Sequence, residues 1–209
     1  MEFALRRVYG ENGLFLDSDD RPGDPASPMN LDPDGFFGRA YASLPGLLLG
    51  KRAVHGHFHP RKYQPLEVGF RTAIIREPVA RMISHYFYWK TLPPQPHQLY
   101  KYFVEQDLTI EEFARLPFIR YFYTRVFFGG MNLSDFDFIG TLESLPHALA
   151  VIGKNIGHPL EFATENKGDH PQYQHRLSEL LGDSKLQRRL ADLFADDIRF
   201  YEEVRDLWA

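Results

Sequence analysis

The chain has 209 residues, with 24 lysines and arginines against 28 aspartates and glutamates, nine histidines and no cysteine. This length fits a single domain spanning residues 1–209, and the absence of cysteine excludes a disulfide framework, thiolate catalysis and cysteine-ligated metal sites. The net charge of −4 argues against a nucleic-acid partner, and no apolar run approaches the roughly 18 residues of a membrane-spanning helix. The first residues, MEFALRRVYG, lack the long apolar core of a secretory signal.

The first part of the chain alternates between helical and strand-like patterns. Residues 2–9 carry an apolar stripe with helical spacing that ends at Gly10. The tract 17–34 combines Asp, Pro, Ser and Gly in a way that predicts a long surface loop. Two short apolar runs bounded by Pro and Gly, 53–58 and 70–76, are predicted strands.

The pattern continues through the second part of the chain. Pro78 suits the first turn of a helix that runs to about Lys90. The segment 135–143 alternates like a strand, and a helix follows it that ends at Gly157. Further helices are predicted over 97–106, 109–115, 117–127, 172–181 and 184–206. Strands separated by helices predict an α/β sandwich around a largely parallel sheet, with ligands beyond the carboxyl ends of its strands.

Basic residues are concentrated in one stretch of this acidic chain. Between Lys51 and Lys90, eight lysines and arginines stand against two acidic residues, and four of the nine histidines lie there as well. Such a region indicates a local anion site, and a solvated basic face is the alternative interpretation.

The junction between the predicted strand 70–76 and the following helix has the chemistry of a phosphate site. Arg76 ends the strand, and Pro78 opens the helix, whose unpaired N–H groups favour an anion. Ser84 follows two turns into the helix. A guanidinium and a hydroxyl are suited to a phosphate monoester. The alternative is that Arg76 pairs with Glu77 and that Ser84 is an ordinary helix-surface hydroxyl.

The same junction carries a recognisable pattern, RxPxxRxxSxY, formed by Arg76, Pro78, Arg81, Ser84 and Tyr86. It resembles the 3′-phosphate-binding segment of sulfotransferases that use 3′-phosphoadenosine 5′-phosphosulfate (PAPS). The resemblance is to the carbohydrate branch, which includes heparan sulfate 2-O-sulfotransferases and their bacterial relatives. Three further stretches resemble that branch in order and spacing: VHGHF (54–58), FDFIGTLESL (136–145) and FADDIRFYEEV (194–204).

The resemblance implies a P-loop-like three-layer fold and transfer of a sulfuryl group from PAPS, without a metal, to a hydroxyl of a carbohydrate-like acceptor. It implies that Arg76 and Ser84 bind the 3′-phosphate of PAPS. Related enzymes close a loop over the nucleotide near the position of Lys167, which would bring this lysine to the same phosphate. A solvated loop lysine is the alternative for Lys167.

One element of the resembled family has no counterpart in this sequence. Family members begin with a strand and a phosphate-binding loop of the type P-K-[TS]-[AG]-[GS]-[ST], which supplies a lysine to the leaving phosphate. The segments GLLLGKR (46–52) and FFGGMN (127–132) do not fit that loop. We therefore expect that Met1 is internal to a longer product or that this half of the donor site has been lost. Residues 1–209 alone should then transfer little sulfate.

The segment HGHFHP brings three histidines close together in the sequence. In a strand, His55, His57 and His59 would share one face because side chains alternate with period two. The resemblance implies that His57 is the general base and that His55 assists it, a task suited to imidazole at neutral pH. A zinc site formed by all three is the second interpretation. The third is a structural role, which we expect for His59 because Pro60 follows it.

Two alternatives to the sulfotransferase hypothesis follow from these observations. The missing loop suggests a non-catalytic remnant that still binds a nucleotide or a glycan. The histidines suggest, with less support, a metal-dependent hydrolase. The expected location is the cytoplasm for a bacterial protein, or the Golgi lumen for a truncated animal one.

Overall fold

The computed structural model describes residues 1–161, 179–180 and 182–208, and these form an α/β structure with short parallel sheets. Each strand has four residues: β1 Leu14–Asp17, β2 Ala53–Gly56, β3 Thr72–Ile75 and β4 Phe138–Thr141. β1 pairs in parallel with β2, and β3 pairs in parallel with β4. The described residues thus contain two two-stranded sheets instead of the single, largely parallel sheet that we predicted.

Helices make up most of the rest of the described chain. They are α1 Glu2–Gly13, α2 Pro28–Leu31, α3 Pro33–Leu47, α4 Pro78–Thr91, α5 Gln98–Glu105, α6 Ile110–Arg115, α7 Pro117–Arg120, α8 Leu145–Ile156, α9 Ser184–Leu193 and α10 Ala195–Trp208. Six of them are preceded by a capping residue whose side chain accepts a hydrogen bond from a backbone N–H of the first turn. These capping residues are Ser27, Asp32, Glu77, His97, Thr109 and Asp183.

Several predicted elements are confirmed, with shorter strands than expected. β2, β3 and β4 lie inside the predicted runs 53–58, 70–76 and 135–143. The helix after Pro78 is α4, and α8 ends at Gly157, which adopts the left-handed conformation with φ 74°. Helices α5 and α6 also match. The predicted helix 172–181 lies outside the described residues except for 179–180.

The amino-terminal prediction needs two corrections. Gly10 has φ 69°, but it marks a kink, and the helical segment α1 continues to Gly13. β1 follows it directly and was not predicted. The tract 17–34 is more than a surface loop, because it contains buried positions and the helix α2.

Four of the buried positions of that tract are polar, whereas Met29 is apolar. Asp17, Asp20, Asp24 and Ser27 are all at most 2% exposed. α2 lies within the tract, and α3 begins at its end. These polar groups are buried because they are hydrogen-bonded: Asp24, for example, accepts from the backbone N–H of Ala26.

Two predicted long helices are each interrupted. The segment 117–127 forms α7 and then a π-helix, Phe122–Phe127, in which the N–H of Val126 bonds to the carbonyl of Tyr121. The segment 184–206 is divided into α9 and α10. Helical periodicity in the sequence does not distinguish a continuous α-helix from these interrupted forms.

The core is built mainly from helix–helix contacts. One cluster joins α4, α5, α6 and α9 through side chains that are at most 1% exposed: Met82, Ile83, Phe103, Phe113 and Leu190. A second lies between β3, β4, the π-helix and α10, and a third between β4 and α8. At the third, a Cβ on Gly140 would lie 2.6 Å from the Cβ of Ala148, so this glycine permits the close approach of α8 to β4. Among the described residues, no helix combines the length and apolar character needed to cross a membrane.

Candidate functional site

The segment between β3 and α4 is held in place by side chains from other parts of the chain. The backbone N–H of Arg76 donates to the hydroxyl of Tyr123 at 2.9 Å, and this hydroxyl donates to the carbonyl of Arg76 at 2.7 Å. The N–H of Glu77 donates to a carboxylate oxygen of Glu143, just after β4, at 3.1 Å. Both residues that follow β3 are therefore fixed by long-range contacts.

The two predicted phosphate-binding side chains carry donors that have no partner among the described residues. Arg76 and Ser84 are each partly exposed. Within the described part of the chain, neither the Arg76 guanidinium nor the Ser84 hydroxyl forms a hydrogen bond or an ion pair. The alternative in which Arg76 pairs with Glu77 is therefore not what the structure contains.

Glu77 instead caps the helix that it precedes. Its two carboxylate oxygens accept from the N–H of Val79 at 3.0 Å and from that of Ala80 at 2.6 Å. The expectation that unpaired N–H groups at the start of α4 would favour an external anion is wrong for these two groups. An anion at this junction must be bound by side chains such as those of Arg76 and Ser84.

Arg81, the second arginine of the pattern, is structural, and its guanidinium is buried. Its guanidinium lies 3.7 Å from the ring centroid of Phe122 and donates to the carbonyl of Ile119 at 2.9 Å. Its Nε and Nη1 atoms have no hydrogen-bond partner in the part of the chain that the structure describes. Burial lowers the pKa of Arg81 to about 10. Arg81 thus packs α4 against the π-helix.

The three histidines of HGHFHP are separated in the structure because β2 ends at Gly56. His57 is exposed, and its backbone N–H donates to the carbonyl of Asp17 at 3.0 Å. His55 is half-buried, and burial, together with the chain's amino group and His57, lowers its pKa. The expectation that all three share one strand face is wrong.

His59 has the structural role expected for it. It is 5% exposed, and its Nδ1 accepts from the N–H of Arg61 at 3.2 Å. The backbone of Gly129 favours the protonated form of His59, but burial outweighs this and lowers the pKa of His59 to about 4. These contacts remove His59 from the proposed three-histidine zinc set. Across residues 1–161, 179–180 and 182–208, no group of three or more His, Asp or Glu side chains is arranged to hold a metal ion.

A buried charged cluster lies beside His57 and was missed by sequence reasoning. The ammonium group of Lys62 lies 2.7 Å from carboxylate oxygens of both Asp17 and Asp20. The hydroxyl of Tyr63 donates to Asp17 at 2.6 Å. Burial raises the pKa of Asp20 despite the hydrogen bond from Lys62. Asp17 ends β1, so recognition of that strand would have pointed to this cluster.

The segment 122–129 connects the two regions that carry the predicted site residues. Near one end Tyr123 holds Arg76 after β3, and at the other the backbone of Gly129 lies close to His59, two residues beyond His57. The structure thus brings the chain segments after β2 and β3 into contact with one common segment. Lys167 lies outside the described residues.

Two cavities lie away from these residues. A groove of about 840 Å³ runs along α8 and includes Leu149, Lys154 and His158. A smaller cavity of about 350 Å³ lies between Arg115 and Arg189. Neither contains a predicted site residue.

Comparison with known proteins does not assign the chain to a family. No family model, no curated protein and no solved structure matches the chain.

Proposed function

We propose that this protein is a PAPS-dependent sulfotransferase with a P-loop-like α/β fold, acting on a hydroxyl of a carbohydrate-like acceptor. The observation that carries the proposal is the pair of unsatisfied donors at the β3–α4 junction. Arg76 and Ser84 lie where ligands of parallel α/β sheets bind, and neither has a partner among the described residues. The RxPxxRxxSxY pattern supplies the nature of the ligand, a 3′-phosphate.

In this proposal Arg76 and Ser84 bind the nucleotide and do not take part in bond making. The Arg76 guanidinium offers charge-assisted hydrogen bonds to the 3′-phosphate, and the Ser84 hydroxyl adds a further donor. Glu77 satisfies the first N–H groups of α4 itself, so the contribution of the helix end to the nucleotide is small. The affinity for the 3′-phosphate therefore depends on these two side chains.

The reaction itself is an in-line displacement at sulfur. The acceptor oxygen forms a bond to sulfur while the bond between sulfur and the bridging phosphate oxygen breaks. The products are the sulfated acceptor and 3′-phosphoadenosine 5′-phosphate. The exposed imidazole of His57 takes the proton of the acceptor hydroxyl. His55, whose pKa is lowered by burial, stays neutral at pH 7 and assists in orienting the acceptor.

Calorimetry with two nucleotides tests the binding part of the proposal. The wild-type chain should bind 3′-phosphoadenosine 5′-phosphate more tightly than adenosine 5′-phosphate, which lacks the 3′-phosphate. Arg76→Ala should weaken binding of the bisphosphate by about 10- to 100-fold, the loss expected for a charge-assisted contact. Arg39→Ala serves as a matched control, since Arg39 is an exposed arginine on α3.

Equal affinity for the two nucleotides, or an unchanged affinity in Arg76→Ala, would contradict the assignment. A sulfate-transfer assay with PAPS then separates enzyme from binding protein. Tight bisphosphate binding without any transfer would favour the non-catalytic alternative.

A further inference from the structure

Tyr123 makes an unusual pair of contacts. Its hydroxyl accepts a hydrogen bond from the N–H of Arg76 and donates one to the carbonyl of the same residue. A phenol has one proton to donate, so the bond to the carbonyl uses its whole donor capacity. The two bonds together fix both peptide groups that flank the Cα of Arg76.

Tyr123 is itself held rigidly, so it can act as an anchor. It is 4% exposed, and its backbone N–H donates to Asp197 at 2.9 Å. Asp197 also accepts from the N–H and the hydroxyl of Thr124. The neighbouring ring of Phe122 stacks on the buried guanidinium of Arg81. Burial raises the pKa of Tyr123 to about 12, so the hydroxyl retains its proton at neutral pH.

The Arg76 side chain has no such support. Among the described residues nothing contacts its guanidinium through a hydrogen bond or an ion pair. The direction in which the Arg76 side chain projects is therefore set by the backbone at Arg76. A binding group on a mobile backbone must be ordered when the ligand binds, which reduces affinity.

We propose that Tyr123 is a positioning residue that fixes the Arg76 backbone, so that the guanidinium is presented in one direction to the 3′-phosphate. This inference rests on the proposed function for its ligand, but its structural part can be tested without any ligand. Tyr123 does not contact the nucleotide in this proposal and acts only through Arg76.

Amide hydrogen exchange tests the structural part. Tyr123→Phe keeps the ring and removes the hydroxyl, and we expect exchange at the Arg76 amide to accelerate by about tenfold, the effect of losing one hydrogen bond. Tyr100→Phe is the matched control, because the buried Tyr100 hydroxyl donates to the carbonyl of Leu92 at 2.8 Å in a different cluster. It should leave exchange at Arg76 unchanged. Unaltered exchange at Arg76 in Tyr123→Phe, or equal acceleration in both variants, would overturn the proposal.

A double-mutant cycle tests the link to the ligand. Tyr123→Phe should weaken binding of 3′-phosphoadenosine 5′-phosphate by about tenfold in the wild-type background and have no effect in the Arg76→Ala background. A merely structural role predicts the same loss in both backgrounds and would refute the positioning role. If the wild-type chain does not bind the bisphosphate, the proposed function fails, and hydrogen exchange at Arg76 decides the anchoring role by itself.

Discussion

Replacing Lys62 by methionine leaves Asp17 and Asp20 as buried carboxylates without their cation. The Lys62 side chain is 10% exposed and the two carboxylates at most 1%. Removing one partner of a buried ion pair costs about 3–5 kcal/mol, because the remaining charge has neither water nor a counter-ion. Methionine is similar in length to lysine, so the loss reflects charge more than packing. We expect a loss of stability in that range, measured by urea unfolding at pH 7.

The pH dependence of the Lys62→Met variant provides a second measurement. Burial raises the pKa of the Asp20 carboxyl, and without the ammonium group nothing opposes this rise, so the folded variant binds more protons than its unfolded chain. Its stability should then be higher at pH 5 than at pH 8, relative to the wild type measured at each pH.

Lys90→Met is the matched control, since Lys90 pairs with Asp107 on the surface, where the side chains are 36% and 89% exposed. An exposed pair contributes about 1 kcal/mol or less. If Lys62→Met cost no more than Lys90→Met, the view of the buried cluster as an interdependent ionic group would be wrong.

Three further changes have defined expected outcomes. His57→Ala should lower the rate of sulfate transfer by roughly 10²- to 10⁴-fold and leave nucleotide affinity unchanged by calorimetry, whereas activity lost to a chelator and restored by zinc would exclude the base role. Burial lowers the pKa of His85 to about 3, so the unfolded chain binds a proton near pH 6.5 that the folded chain does not. Between pH 7 and 5 this difference in proton binding lowers the stability of the wild type by about 2 kcal/mol. His85→Phe should not lose this amount when urea unfolding is measured at the two pH values, and equal losses of stability in the two proteins would refute the prediction. Gly56→Ala would place a Cβ 1.6 Å from the carbonyl oxygen of Asp17 and should lower the melting temperature strongly, while Gly69→Ala, with open space at its Cβ, should not.

The β3–α4 junction was predictable because its signals are local. A short run rich in β-branched residues, Thr72–Ile75, is followed within three residues by Pro78, which suits a first helical turn. The cap by Glu77 was also readable in principle, since a carboxylate immediately before a helix accepts from its first N–H groups. The placement of Arg76 and Ser84 relative to these elements followed from the same signals.

The amino-terminal sheet was not predictable in the same way. Asp17 and Asp20 belong to a sequence rich in Asp, Pro and Gly, a composition typical of exposed loops. They are buried because Lys62, more than 40 residues along the chain, neutralises them. The sequence around Asp17 does not contain this partner, so the local composition predicted an exposed position for Asp17 and Asp20.

The π-helix is a third case, in which the element was predicted but its form was not. The aromatic spacing over 117–127 indicated one α-helix, and the buried positions Tyr123 and Val126 agree with a packed segment. The change of form occurs where Asp197, from α10, accepts the N–H groups of Tyr123 and Thr124. Because this carboxylate comes from a distant segment, the local periodicity of residues 117–127 could not predict the π-helix.

The carboxylate of Glu77 gives the protein a trade-off between stability and ligand capacity. By accepting from Val79 and Ala80 it stabilises α4, and removing such a cap costs about 1 kcal/mol. The same removal would release two backbone donors next to Arg76 and take away a negative charge. Glu77→Ala would therefore lower the stability of the fold slightly and raise the affinity of the junction for small oxyanions. A single substitution at this position would shift the junction from a stabilised helix end towards anion binding.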